Sequence, residues 1–120
     1  MKEVAQLYNN DFGLAFYWKK DGAVLKNRVQ FIFKEMGFYL LPDEVEEFKQ
    51  LAEGTINYYS CTKCSCGKDC HKLLLKTPMN GVDLAVTKTE LVNIKDLMEG
   101  TLFNLSLNNY LDELCNSDNN

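Results

Sequence analysis

Long apolar runs, proline, histidine and surplus positive charge are all scarce in this 120-residue chain, and each scarcity removes a class of function. Nowhere do about 18 apolar residues follow one another, the length a helix needs to cross a bilayer, so no membrane span is expected. The opening MKEVAQLYNNDFG sets Glu3 and polar residues directly after an early lysine, without the apolar stretch of a secretory signal. The expected location is the cytoplasm. Thirteen Lys and Arg stand against seventeen Asp and Glu, a net charge of −4, whereas binders of nucleic acid or membrane surfaces are usually basic. A protein partner fits this balance better. One histidine, with no Gly-rich phosphate loop or nucleophile elbow, leaves no nucleophile, base and orienting group for acyl or phosphoryl transfer. An enzyme is therefore disfavoured.

What is present suits a single globular domain over residues 1–120. Hydrophobic residues make up 46% and charged residues 25%, enough apolar material for a core and too much for a disordered chain. No Gly-, Ser- or Pro-rich linker divides it. Residues 38–55 and 84–101 register at a spacing of 46, with Val45, Phe48 and Leu51 falling on Leu91, Ile94 and Leu97. Both stretches carry the apolar spacing of an amphipathic helix. Thr87 with Glu90 predicts a capping box, and Pro42 suits a first helical position. Gly54 and Gly100 predict the two C-termini, since a helix often ends in a left-handed residue.

Alternating runs ahead of each helix read as strand pairs, 29–34 with 38–41 and 72–76 with 82–86, separated at Gly37 and Gly81. A further strand precedes each pair, at 13–18 and 56–60, the first followed by a turn at Lys20-Asp21-Gly22. An edge strand is expected at 102–105 and a short last helix at about 107–115. The expected fold is α+β, with two tandem divergent β-β-β-α repeats (about 13–54 and 55–100) forming an antiparallel sheet that carries both helices on one face.

Chemistry concentrates in Cys61-Thr-Lys-Cys64-Ser-Cys66-Gly-Lys-Asp-Cys70-His71, expected at a hairpin tip between two strands of the second copy. The two-residue gap between Cys61 and Cys64 lets both sulfurs face one ion, and a tetrahedral site needs two more ligands. Cys66 and Cys70 complete it most simply, with His71 as the alternative to Cys70. Clustered thiols in a reducing compartment more often bind metal or do redox chemistry than form disulfides. The spacing is tighter than the two separated knuckles of most structural zinc sites, and its gaps of two, one and three differ from the ferredoxin run. Zinc is the leading reading. An iron–sulfur cluster or thiol redox role, and reduced thiols without a ligand, are the alternatives.

Other candidates have plainer explanations. Phe16, Tyr17 and Trp18 beside Lys19 and Lys20 could stack bases near phosphate-binding lysines, but a core strand followed by a solvated turn explains them. Asp43, Glu44, Glu46 and Glu47 sit in the first turns of a helix, where its dipole favours negative charge. Cys115 reads as a small hydrophobe on the last helix. The function expected is a small non-catalytic interaction or regulatory module with a local cysteine-bound zinc.

The Cys61-x-x-Cys64 hairpin, the alternating strand pair, and a helix with an acidic x-x-Glu opening and a mid-helix Phe48 or Ile94 resemble a small family of Bacteroidetes proteins of unknown function. The resemblance implies a bacterial source and no particular activity. Within it, Cys61 and Cys64 carry the paired-cysteine motif. The first copy departs from it, with Trp18 and Lys19 in that neighbourhood.

Overall fold

A computed structural model describes residues 3–60 and 72–118. The first half is strand-rich: β1 (Glu3–Asn9), β2 (Gly13–Lys20), β3 (Ala23–Val24), β4 (Val29–Phe33) and β5 (Met36–Leu40) precede helix α1 (Pro42–Ser60). The second half has β6 (Leu73–Lys76), β7 (Asp83–Val86) and helix α2 (Lys88–Asp118). All strand pairs are antiparallel. They form two sheets and not the single sheet expected: β1-β2-β4-β5 with β3 beside β2, and a separate β6-β7 hairpin. The fold class is α+β.

Turn chemistry explains the strand boundaries. Asp21 and Gly22 both have positive φ, 52° and 80°, and reverse the chain between β2 and β3. Left-handed residues at both central positions match the twist of a two-residue hairpin. The β4–β5 hairpin uses the same device without glycine, at Lys34 (φ 51°) and Glu35 (φ 63°). Gly37, expected as the separator, lies inside β5 opposite Ile32. Gly81 does sit in the β6–β7 loop at φ 79°. β1, which lacks a clear apolar alternation, was not expected; it pairs along β2 with an irregularity between Gln6 and Tyr8.

Both helices start where their caps place them. The Thr87 N–H donates to Glu90 Oε1 at 2.9 Å while the Glu90 N–H donates to Thr87 Oγ1 at 3.1 Å, a reciprocal capping box. At the same register in α1, the Leu41 N–H donates to Glu44 Oε1 at 2.8 Å. Neither helix stops at its glycine. Thr55 and Thr101, the next residues, donate Oγ1–H back to the carbonyls of Leu51 (2.8 Å) and Leu97 (2.7 Å). Past them, Ile56, Leu102 and Leu105 continue the apolar stripe into the core cluster. A helical glycine costs about 1 kcal/mol relative to alanine, less than burying large apolar side chains returns. The strands expected at 56–60 and 102–105 are therefore helix, and the expected last helix at 107–115 is the end of α2. With 56–60 helical, the described residues of the second half contain no first strand of a β-β-β-α copy.

One core cluster draws on both halves of the chain. Phe33 stacks on Phe12 and Phe38 with ring centres 5.4 and 5.5 Å away, and Phe38 meets Phe48 edge-on at 5.6 Å. Leu40 and Val86, Val45 and Leu91, Phe48 and Ile94, and Ala52 and Met98 are all buried, each pair 46 residues apart. Cross-strand partners repeat too. Phe31 lies opposite Phe38 as Leu75 lies opposite Leu84, and Val29 opposite Leu40 as Leu73 opposite Val86.

Candidate functional site

Cys61, Cys64, Cys66, Cys70 and His71 lie outside the described residues. Their segment joins the end of α1 at Ser60 to β6 at Leu73, so it connects a helix to a strand and not the two arms of a hairpin. Cys115 belongs to the last turns of α2. Among the described residues, no three His, Cys, Asp or Glu gather at metal-binding spacing.

The remaining candidates are tied into the fold. Phe16 is buried with Trp18 edge-on at 4.9 Å, and the Trp18 indole N–H donates to Gln30 Oε1 at 3.2 Å. Tyr17 points to the opposite side and joins the core. Of the acidic run, Glu44 caps α1 and lies 3.6 Å from Arg28, and Glu46 lies 3.2 Å from Lys49. These contacts match a solvated, dipole-compatible helix opening.

A surface that sequence reasoning missed emerges from comparing the two helices. The β1–β2 ribbon lies across one face of α2. Tyr8 donates its hydroxyl to Asp96 Oδ2 at 2.9 Å, and Asn10 Nδ2 donates to the same oxygen at 2.9 Å and to the Asn93 carbonyl at 3.1 Å. The Asn10 side chain also receives the N–H groups of Phe12 and Gly13, both at 2.9 Å, which fixes the turn. A Cβ built on Gly100 would run into the Tyr8 ring. The carboxylate of Asp96 holds the Tyr8 hydroxyl above its ordinary pKa, chiefly by accepting its proton in a hydrogen bond, with burial and charge repulsion adding.

On α1 no described strand covers the corresponding face. Gln50, Leu51, Gly54, Thr55 and Tyr58 of α1, with Leu74 and Lys76 of β6, line an open groove of about 330 Å³. A Cβ at Gly54 would meet nothing within 4 Å. Tyr58 and Leu74 are about two-thirds exposed at 68% and 64%. No β7 residue lines the groove, so it lies on the side of β6 turned away from its hairpin partner. Among the described residues no strand pairs with that edge, and an apolar wall beside such an edge suits an extended peptide better than a reacting small molecule. Its signal in the sequence was the pairing of Gly54 with Gly100, which the helix-stop reading absorbed.

A second apolar feature lies further along α2. Phe103, Leu107, Tyr110, Leu111 and Leu114 are all exposed and recur at helical spacing, on the side away from the buried Leu105. At the other end of α2, Lys34 and Lys72 flank Glu90 at 3.0 and 3.7 Å. Burial pushes the Glu90 carboxyl up, but the Thr87 N–H and the two lysines outweigh it and hold the group below its ordinary value. No described helix is long and apolar enough to cross a membrane.

No protein-family model matches the chain, and no curated protein or solved structure is similar to it.

Proposed function

We propose that this chain is a small non-catalytic interaction module of the cytoplasm, with a local zinc ion held by Cys61, Cys64, Cys66 and Cys70. The observation that carries the interaction reading is the contrast between two glycines at one helical register. Gly100 is covered by Tyr8, whereas Gly54 borders an apolar groove and no described atom lies within 4 Å of a Cβ placed there. A surface built to the same pattern as a covered one, with no described strand over it, is a binding surface in this reading.

The duplication is retained in reduced form, as two divergent β-β-α units instead of β-β-β-α units. Its support is the matched capping bonds, threonine back-bonds and buried positions 46 residues apart. The zinc reading rests on four thiols and an imidazole within eleven residues, with His71 as the alternative fourth ligand. The resemblance to the Bacteroidetes family stays part of the proposal and adds no activity.

Two measurements test it. Elemental analysis with a visible spectrum should find one zinc per chain and no colour; brown protein would replace zinc with an iron–sulfur cluster, and no metal would remove the staple. Selection from a displayed random-peptide library against the whole chain should enrich ligands. A library that yields none counts against the module.

A further inference from the structure

We infer that the outer seam of α2 is a self-association surface, on which a second copy of this chain seats its own α2 antiparallel. The inference goes beyond the α1 groove and the cysteine segment, and its failure leaves the interaction-module reading untouched. Phe103, Leu107, Tyr110 and Leu114 follow one another at gaps of four, three and four residues, the alternating a and d positions of a helix-pairing heptad. All four are between 42% and 68% exposed. Asp96 and Gly100 hold the same two positions one heptad earlier, where the β1–β2 ribbon meets them through Tyr8. The seam is the exposed continuation of a stripe that the fold already packs against.

The rest of the chain is too short to cover it. Leu73 opens β6 opposite Val86, next to the start of α2, and Tyr58 near the end of α1 lines one groove with Leu74. The eleven residues 61–71 are thus tied at both ends near Lys88, and a connection of that length reaches out and back over about 20 Å. The seam runs from about 22 Å to about 39 Å along α2 from Lys88. Only two residues precede Glu3 and two follow Asp118.

Self-complementarity identifies the occupant. A two-fold axis midway between Asn108 and Asn109 sets Phe103 opposite Leu114 of the second copy and Leu107 opposite its Tyr110, so every layer joins one aromatic ring to one leucine. The neighbouring Asn104, Ser106, Asn108 and Asn109 are uncharged, so two chains of net charge −4 meet without local repulsion. A parallel pair would crowd both ribbons, each lying over its Gly100, into the roughly 8–10 Å between helix axes. The antiparallel pair puts each ribbon at the tip of the other arm. With Leu111 beside the seam, each arm covers roughly 500 Å² and the pair about 1,000 Å², the lower limit of a specific interface. The dissociation constant should therefore be on the order of 10 µM. At lower concentration the monomer prevails, and there the seam contributes nothing to folding stability.

Sedimentation equilibrium of the full chain, from about 1 µM to about 1 mM, should show a monomer–dimer equilibrium. Leu107→Glu and Tyr110→Lys should each weaken dimerisation at least tenfold, with the urea midpoint of the dilute protein unchanged because both positions are exposed. Mixed together, these two variants should pair at least tenfold more tightly than a mixture of Leu107→Glu with Tyr110→Glu, because the register sets residue 107 of one copy opposite residue 110 of the other. A chain that is monomeric at every concentration, or a dimer indifferent to Leu107→Glu, would overturn the inference. Equal affinities of the two mixtures would overturn it too, by removing the antiparallel register. A monomer that instead co-sediments with phosphatidylcholine vesicles, and ceases to with Leu107→Glu, would give the seam to a lipid surface.

Discussion

Tyr8 fixes residue 100 as glycine: its ring occupies the space that a Cβ there would need, and its hydroxyl is tethered to Asp96 one turn earlier. The contact joins the first strand to the last helix across 92 residues.

Opposite signs are therefore expected for one substitution at two equivalent positions. Gly54→Ala should stabilise by about 0.5–1 kcal/mol, because alanine is the better helix former and its methyl meets nothing. Gly100→Ala should destabilise by about 1–3 kcal/mol through overpacking against Tyr8. Urea unfolding measures both. Adding Tyr8→Ala should remove most of the Gly100→Ala penalty, and an unchanged penalty would mean that the ring is not its source.

Phe48 and Ile94 are fully buried at matched positions on the two helices. Truncating either to alanine should cost about 2–5 kcal/mol. Phe103, at 68% exposure, should accept serine with a change below about 0.5 kcal/mol. A large loss at Phe103 would show that the outer face of α2 is covered in solution.

Glu90 makes stability sensitive to acid. A carboxylate whose folded pKa lies below its unfolded one contributes stability that is present above the unfolded value and is lost as pH falls through the folded one. The contribution should be complete at pH 7 and fade below the ordinary value of 4.5. Glu90→Gln should lower the urea midpoint at pH 7, with the gap to wild type narrowing by pH 3. A gap independent of pH would assign the effect to packing of the side chain instead of its charge.

Chelation should loosen the cysteine segment without unfolding the protein. The described core assembles strands and helices on both sides of that segment, and its first half builds its own hairpins with no cysteine. Hydrogen exchange after chelator treatment should change at 60–71 and leave α1 and α2 protected. Global unfolding would make the metal a folding determinant, as in zinc fingers.

Local chemistry was legible where it acts locally. The capping box at Thr87 and Glu90, the Asp21-Gly22 turn and the strands at 29–33 and 73–76 all follow from neighbours a few residues apart. The helix ends did not, because Gly54 and Gly100 resemble stops until Thr55 and Thr101 are seen to bond backwards and Leu105 to reach the core. β1 was invisible for a related reason. Glu3, Ala5, Gln6 and Asn9 give it little apolar periodicity, and its place depends on bonds to α2 more than 80 residues away. The groove inherits both difficulties, since it exists where 56–60 became helix and where no described strand lies over α1 as β1 lies over α2. For the four cysteines, composition remains the whole of the argument.

Thirteen residues of α2 follow Leu105, about 20 Å of helix at 1.5 Å per residue, and every described side chain among them is exposed. Among the described side chains none anchors this arm to the body. Isolated helices of such length are marginal in water. The arm is therefore a built-in gauge: its far-ultraviolet dichroism rises when something seats against it and falls when it is left alone, and a chain cut after residue 107 loses the gauge while keeping every buried side chain described here.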